Sequence, residues 1–288
     1  MKALADLHTH SDRSDGLHSP QELVELAEEI GLKGLALTDH DTLDGLREFM
    51  DTKISTDLQL VPGVEISTEY QGAELHILGY FVPLGNSPVD IRLRKNRESR
   101  HTRFPKMVQK LRSIGIEIED KEVQNMLADV DSPGRPHLAR ILIEKGIVRD
   151  IDEAFVKYLA KGRPAYVGRH KMDSFYAIKL IRESGAVPVL AHPLLIKGIN
   201  LKQLLHELQS QGLEGVEVDY GYRKPEDLDQ VENVRNVAEG LGLITTGGSD
   251  FHGDDGHYSM GGIGTTIEVI DQLRKACARI RESTSKKL

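Results

Sequence analysis

Cysteine is nearly absent. Cys277 stands alone among 288 residues, which excludes an intrachain disulfide framework and any thiolate-rich metal site. Tryptophan is missing altogether, so nothing favours an aromatic stacking platform. Long apolar runs are missing too: AVPVLA at 186–191 is typical of the longest, far short of the roughly 18 residues a membrane helix needs. The start, MKALADLHTH, turns polar at Asp6 and lacks the apolar stretch of a signal peptide, so a cytoplasmic, membrane-free protein is expected. Neither a Walker motif nor a dinucleotide fingerprint occurs, and Ser249 is not in a Gly-x-Ser-x-Gly elbow. These absences argue against an NTPase, a dehydrogenase and a serine hydrolase. What is present is globular composition, with 39% hydrophobic and 28% charged residues. The length fits one large domain or two small ones. The unusual entry is 12 histidines.

The first third alternates strand and helix signals. ALADLH (3–8) reads as a strand. Ser19-Pro20-Gln21-Glu22 opens an amphipathic helix as a capping box, with Leu23, Leu26, Ala27 and Ile30 on one face and Gly31 as its stop. Strands follow at 34–40, 58–67 and 74–82, with a short helix around 42–50. From 92 to 163 there are helix signals only, at 92–113, 120–129, 136–145 and 151–160, punctuated by Gly and Pro. The alternation then resumes, with helices at 173–184, 200–210, 225–240 and 267–282 and strands at 187–192, 215–220 and 243–250. The expectation is an α/β metal-binding barrel or parallel sheet formed by residues 1–91 and 164–288, interrupted by an all-helical insertion over 92–163.

Charge separates the same two parts. Residues 92–163 carry 17 Lys and Arg against 11 Asp and Glu, a net of +6, while the remainder carries 20 against 34, a net of −14. A basic insert on an acidic body suggests an anionic substrate entering between them. A merely solvated helical face would give the same asymmetry.

The histidines sit at predicted strand ends. His8 and His10 close the first strand two residues apart, a spacing that projects both to one face. His40 closes the second strand, Glu65 lies at the end of the third, His76 in the fourth, His192 after the fifth, and Asp250 and His252 after the last. Carboxyl ends of parallel strands meet at one face, where ligands bind. Asp15, in the loop after His10, can fold back over that mouth. These six His and three acids are imidazole and carboxylate without thiolate, a set suited to Mn, Zn or Fe. Nine ligands at about four or fewer per ion imply two or three divalent ions. Such a site is hydrolytic, with phosphoester cleavage by a metal-bound hydroxide the expected reaction. Asp15, Glu65, His192 and Asp250 are the residues expected to matter most for catalysis.

DLHTHSDRSDG, TDHDT, PGVEIS, AHP and GGSDFHG, in that order and spacing, resemble the PHP (polymerase and histidinol phosphatase) superfamily. The length, the insert and GRPHLAR at 134–140 resemble its short bacterial YciV/TrpH-like phosphoesterases. The resemblance implies a distorted (β/α)7 barrel with a trinuclear metal centre, and activity on nucleoside 3′,5′-bisphosphates or on the 5′ end of short RNA. It also implies the pairing of ligands into ions: His8, His10, Glu65 and Asp250 around one, Glu65 bridging to a second with His76 and His192, and Asp15, His40 and His252 around a third. Mn2+ is the expected metal, with Zn2+ and Fe2+ as alternatives.

Several residues carry further expectations. Arg135 and His137 open a helix and suit a phosphate. Arg94, Arg97, Arg100 and Arg103 recur every three residues and suit a second phosphate or an RNA backbone. Asp39 and Asp41 flank His40 and suit the support of ligands. His18, His170, His206 and His257 have no supporting pattern, and Asp254-Asp255 reads as a polar loop. The partner expected is a nucleotide or short RNA, with no obligate protein partner evident. Two alternatives stay open: a histidinol-phosphate-type phosphatase, and a non-catalytic RNA-binding module stabilised by metals.

Overall fold

The computed structural model describes residues 4–127, 130, 133–168, 171–254 and 257–285, without the side chains of residues 97–102. The chain runs β1 (Leu4–Asp6), α1 (Pro20–Glu29), β2 (Gly34–Leu37), α2 (Leu46–Asp51), β3 (Gln59–Tyr70) and β4 (Ala73–Tyr80). Helices α3 (Pro88–Ser113), α4 (Asp120–Met126), α5 (Arg135–Glu144) and α6 (Ile151–Ala154) follow, the last running into a π-helical turn at Phe155–Leu159. The remainder is β5 (Met172–Asp173), α7 (Ser174–Glu183), β6 (Val187–Leu190), a 3-10 turn at Pro193–Leu195, α8 (Leu201–Ser210), β7 (Gly215–Tyr220), α9 (Pro225–Leu228), α10 (Val231–Gly240), β8 (Ile244–Gly248), β9 (Thr265–Thr266) and α11 (Glu268–Ser285).

The sheet order is β8-β7-β6-β4-β3-β2-β1-β9, with β5 beside β3. It curls into a nearly closed barrel: Leu7 donates its amide to Gly247 O at 3.2 Å, and His10 donates to Phe251 O at 2.9 Å, so the first and eighth strands meet. The expected α/β barrel is therefore present, with one correction. β4 runs antiparallel to both β3 and β6. The reason is local. Gln71 and Gly72 both have positive φ, 49° and 83°, and form a two-residue hairpin turn. Two residues cannot carry a crossover, so the strand must fold straight back.

Local signals decide most other elements. Ser19 Oγ accepts the Glu22 amide at 3.2 Å and Glu22 returns to the Ser19 amide at 2.7 Å, so the capping box forms with Pro20 at the first helical position. Its buried face is Leu23, Val24 and Ala27; Ile30 is exposed, because the helix has ended and Gly31 (φ 77°) turns the chain away. The helix expected over 225–240 is broken between α9 and α10.

Three apolar clusters hold the molecule. One packs α1, α2, α7, α8 and α10 onto the outer faces of the strands. A second lies against α11, where Ile270, Leu273, Ala276 and Cys277 meet Ala5, Val61, Tyr80, Val187 and Ile244. Those are starts of parallel strands and the finish of β4, so α11 covers the bottom of the barrel and leaves the carboxyl-end mouth open. The third cluster is separate and helical, with Phe104, Leu111, Leu138, Ile141, Leu142 and Leu159. Val89 and Leu93, in the first turns of α3, belong to the barrel cluster, whereas Ala165 and Val167 pack in the helical one. Among the described residues no helix is long and apolar enough to cross a membrane.

Candidate metal centre

Every group of the proposed ligand set comes from the end of a strand or the loop behind it, except Glu65 and His76. His8 and His10 follow β1; His40 follows β2; Glu65 lies within β3, which is longer than expected and continues to Tyr70. His76 reaches the mouth from antiparallel β4, opposite Ser67. His192, Asp250 and His252 follow β6 and β8. Glu65 is buried at the centre. Its Oε2 lies 2.8 Å from His40 Nδ1 and 3.4 Å from both His8 Nε2 and His10 Nε2. Its Oε1 lies 2.8 Å from His76 Nδ1 and 2.9 Å from His192 Nε2. Asp250 Oδ1 is 3.2 and 3.0 Å from His8 Nε2 and His10 Nε2. Asp15 reaches back over the mouth, with Oδ1 3.3 Å from His252 Nε2 and Oδ2 3.9 Å from His40 Nε2. Its loop turns at Gly16, where a Cβ would stand 2.2 Å from the His10 carbonyl oxygen, so no larger residue fits.

The fit to metal rests on unpaired atoms. His8 Nε2, both ring nitrogens of His10, Asp15 Oδ1, His40 Nδ1, Glu65 Oε2, His192 Nδ1 and Asp250 Oδ1 are buried without a hydrogen-bond partner. Buried polar atoms are normally satisfied, and so many facing one another at a single mouth match the donor set of divalent ions. Compact ligand groups form around His8/His10/Glu65/Asp250, around His10/Asp15/His40/His252 and around His40/Glu65/His76. A further group joins Asp250 and His252 to His257.

Electrostatics reflect this crowding. Burial, aided by the neighbouring His252 and His40, pushes the His10 imidazole down to about 3. Burial opposes the charge on Glu65, yet His40, His76 and His8 hold its carboxyl well below the usual range. Backbone strain is concentrated here as well: Asp41, His192 and Asp250 adopt positive φ of 54°, 28° and 56°.

Outer partners fix the ligands. Glu217 Oε1 accepts from His8 Nδ1 at 2.9 Å and Oε2 accepts the His192 amide at 2.8 Å. That contact commits His8 to present Nε2 to the mouth. The sequence reading missed Glu217; its signal was an acid inside the short apolar strand GVEVDY. Tyr220 donates to Asp250 Oδ2 at 2.9 Å. Asp39 and Asp41, expected to orient ligands, hold the backbone and loops beside them. Asp39 accepts the Ser11 amide and the Ser11 and Ser14 hydroxyls, holding the loop that carries Asp15, and burial pushes it up to about 6. Asp41 accepts the Ser67 amide at 2.9 Å. Asp6, likewise pushed up to about 6 by burial, accepts the Ser249 and Gly261 amides.

Above the mouth lies a cavity of about 380 Å3 between the barrel and the helical segment. His40, His76, His192, Asp250 and His252 line it from the barrel mouth, Lys171 reaches in from beside β5, and Arg103, Arg135 and Arg140 come from the helical segment. Arg135 lines it as expected. His137 does not: it is buried, and its Nδ1 accepts the Gly134 amide at 3.1 Å, because the third residue of a helix points back to its cap. Arg94 is paired with Asp90 at 2.8 Å and faces a different hollow, beside Asp44 and Arg47. The side chains of Arg97 and Arg100, and with them His101, lie outside the described residues, as do His170 and Asp255. Two dismissed residues do border the cavity. His257 stacks on His252, ring centres 3.9 Å apart, and its Nδ1 is 2.7 Å from Asp254 Oδ1. Arg140, also missed, donates to the Asp15 carbonyl oxygen and lies 3.4 Å from Asp254 Oδ2.

A barrel whose carboxyl-end mouth gathers imidazoles around a buried carboxylate, under a cationic roof, defines a metal-dependent hydrolase. The chain belongs to the PHP domain family, whose sequence profile matches residues 6–159. It is 34% identical to a 5′-3′ exoribonuclease of Haemophilus influenzae over 93% of this chain and 96% of that one. It is 31% identical to a 3′,5′-nucleoside bisphosphate phosphatase of Chromobacterium violaceum over 86% of each. Among solved structures, a Bifidobacterium adolescentis protein assigned as a metal-dependent phosphoesterase superposes with a TM-score of 0.85 and 28% identity, covering 94% of this chain and 95% of that one.

Proposed function

We propose that this chain hydrolyses phosphate esters of nucleotides, acting on a nucleoside 3′,5′-bisphosphate or on the 5′ end of a short RNA. One observation carries the reading: unpaired imidazole and carboxylate atoms gather at a mouth whose cavity is also lined by Arg103, Arg135, Arg140 and Lys171. The activities named for the Haemophilus and Chromobacterium relatives are of this chemistry. In this reading His8, His10, Glu65 and Asp250 hold one ion, Glu65 with His76 and His192 a second, and Asp15, His40 and His252 a third, Mn2+ being the expected metal. Ions held there supply Lewis-acid polarisation of phosphoryl oxygens and a lowered pKa for water.

The chain's own groups do the rest. Glu65 gives its two oxygens to two halves of the ligand ring, 2.8 Å from His40 on one side and 2.8 Å from His76 on the other. Arg140 ties the Asp15 loop to the roof, so the roof and the mouth are positioned together. Arg135 draws in an anion beside His76. A histidinol-phosphate-type activity fits less well, since a small monophosphate has no use for four cations lining the cavity.

The test is the purified full chain with Mn2+, given 3′-phosphoadenosine 5′-phosphate and a short 5′-phosphorylated RNA. Release of phosphate or of mononucleotides that stops on chelation is the expected result. Absence of metal-dependent turnover on both would overturn the reading.

A further inference from the structure

Strand β4 puts Glu74 two residues from His76, on the same face of the strand and hence beside the metal centre. Its Oε1 is 3.9 Å from His76 Nε2. The same carboxylate meets two cations from elsewhere in the chain. Oε2 lies 2.5 Å from Lys171 Nζ, just before β5, and Oε1 lies 3.7 Å from Arg135 Nη2, at the start of α5. The Arg135 guanidinium also sits 5.1 Å over the Phe155 ring, which holds it against the cavity wall. All five residues line the cavity.

We propose that Glu74 is an internal stand-in for the substrate's second phosphate, and that by occupying the Arg135–Lys171 pair it sets which substrates the cavity accepts. The proposal rests on the phosphoesterase reading and deepens it. Two cations around one carboxylate leave a net charge of +1. A phosphate dianion brings twice the charge of a carboxylate and more acceptor oxygens, so it can displace Glu74 and neutralise the pair fully. An ester with nothing beyond its scissile phosphate has no group to make this exchange, and finds a carboxylate there instead. Glu74 therefore works as a repulsive element as well as a placeholder, a common device for discriminating between related ligands. Arg140 does not share this role. It already donates to the Asp15 carbonyl oxygen and lies against Asp254, so it holds the mouth together.

The experiment uses the Mn2+-loaded full chain and compares Glu74→Gln with wild type on adenosine 3′,5′-bisphosphate and on p-nitrophenyl phosphate. Releasing two partly exposed ion pairs should raise the kcat/KM ratio of bisphosphate to aryl phosphate by about threefold to tenfold, chiefly through a lower KM for the bisphosphate. Combining Glu74→Gln with Arg135→Ala should abolish the gain, because the freed cation is then missing. Metal content and melting midpoint establish that each variant is folded and loaded; if Glu74→Gln is not, Glu74→Ala is measured for the same shift. An unchanged or lower ratio in a folded, loaded variant overturns the proposal, since Glu74 would then be neutral or would serve to position the cations for substrate. Failure of the wild type to turn over either substrate would instead count against the phosphoesterase reading itself.

Discussion

The mouth of the barrel and the helical roof above it are built on different principles. At the mouth, side chains are buried and over-determined. Glu217 fixes His8 and His192, Asp39 fixes the loop of Asp15, and Tyr220 fixes Asp250, all at hydrogen-bond distance. The roof has its own apolar cluster and reaches the mouth through long cationic side chains, Arg135 to Glu74 and Arg140 to Asp15 and Asp254, while Lys171 meets the same Glu74 from beside β5 of the barrel sheet. Reacting groups require placement within fractions of an ångström, which packed strand ends supply. Recognition of an anion tolerates flexible arms, which helices supply. The roof can therefore change its ligand while the chemistry below stays fixed.

The comparison breaks most sharply at Glu65. Glu65→Gln should lose activity by more than about a hundredfold, beyond what loss of an outer partner costs, and should lose bound metal while remaining folded. Asp250→Asn and His192→Ala should do the same. Metal analysis after gel filtration, alongside turnover, is the check; full metal content with near-normal rates in all three would remove the mouth from the mechanism. Glu217→Gln touches no cavity. It should still weaken metal binding by about tenfold to a hundredfold, because His8 loses the partner that sets its tautomer. Competition with a chelator measures this, and unchanged metal affinity would show that His8 needs no such support.

At the roof, Arg135→Ala should leave metal content alone. It should lower kcat/KM on a bisphosphate by about tenfold to a hundredfold, the worth of a charge-assisted, partly buried contact, with a much smaller loss on an aryl phosphate. Equal losses on both substrates would mean that Arg135 serves the reacting phosphate and that the roof is not a separate recognition surface.

The smallest effect is one of pH. In the metal-free chain burial opposes a charge on His76, but Glu65 and Glu74 prevail and push it up to about 10. Burial likewise opposes a charge on His252, and Asp15 and Asp250 push it up to about 9. Both imidazoles thus carry a proton at pH 7, and a ligand must be neutral. Metal uptake near neutrality should therefore release protons, and affinity should rise with pH by up to about tenfold per unit for each proton displaced. An indicator dye in weak buffer reads the release; uptake without protons would show that these two imidazoles are already neutral before metal binds.

Much of this was legible beforehand, and for a physical reason. Strand-end residues are placed by short apolar runs and tight turns, so DLHTH, TDH, AHP and GGSDFH announce both their position and their chemistry. His137 misled because a histidine at a helix start has two uses, and the backbone amide of Gly134 claimed it. Arg94 misled because regular spacing does not reveal that Asp90, one turn earlier, already holds it. His257 was overlooked because nothing in its neighbours marks it, and Arg140 because Arg135 and His137 drew the attention within GRPHLAR; the importance of both lies in what packs opposite.

The sequence by itself determined the α/β class, the helical run between its two halves and the nine imidazole and carboxylate groups in or just after the strands, since each follows from local periodicity and residue chemistry; the barrel was implied by the family resemblance. The Gln71-Gly72 turn sends β4 straight back along β3, and the closing of the sheet then places His76 and Glu74 at the mouth. Tertiary structure alone decided that Glu217 lies behind two ligands, and that Arg135 and Lys171 close on one carboxylate. Those meetings join segments far apart in the chain, and no local pattern encodes them, because the closing of the barrel and the packing of the helices onto it set their distances.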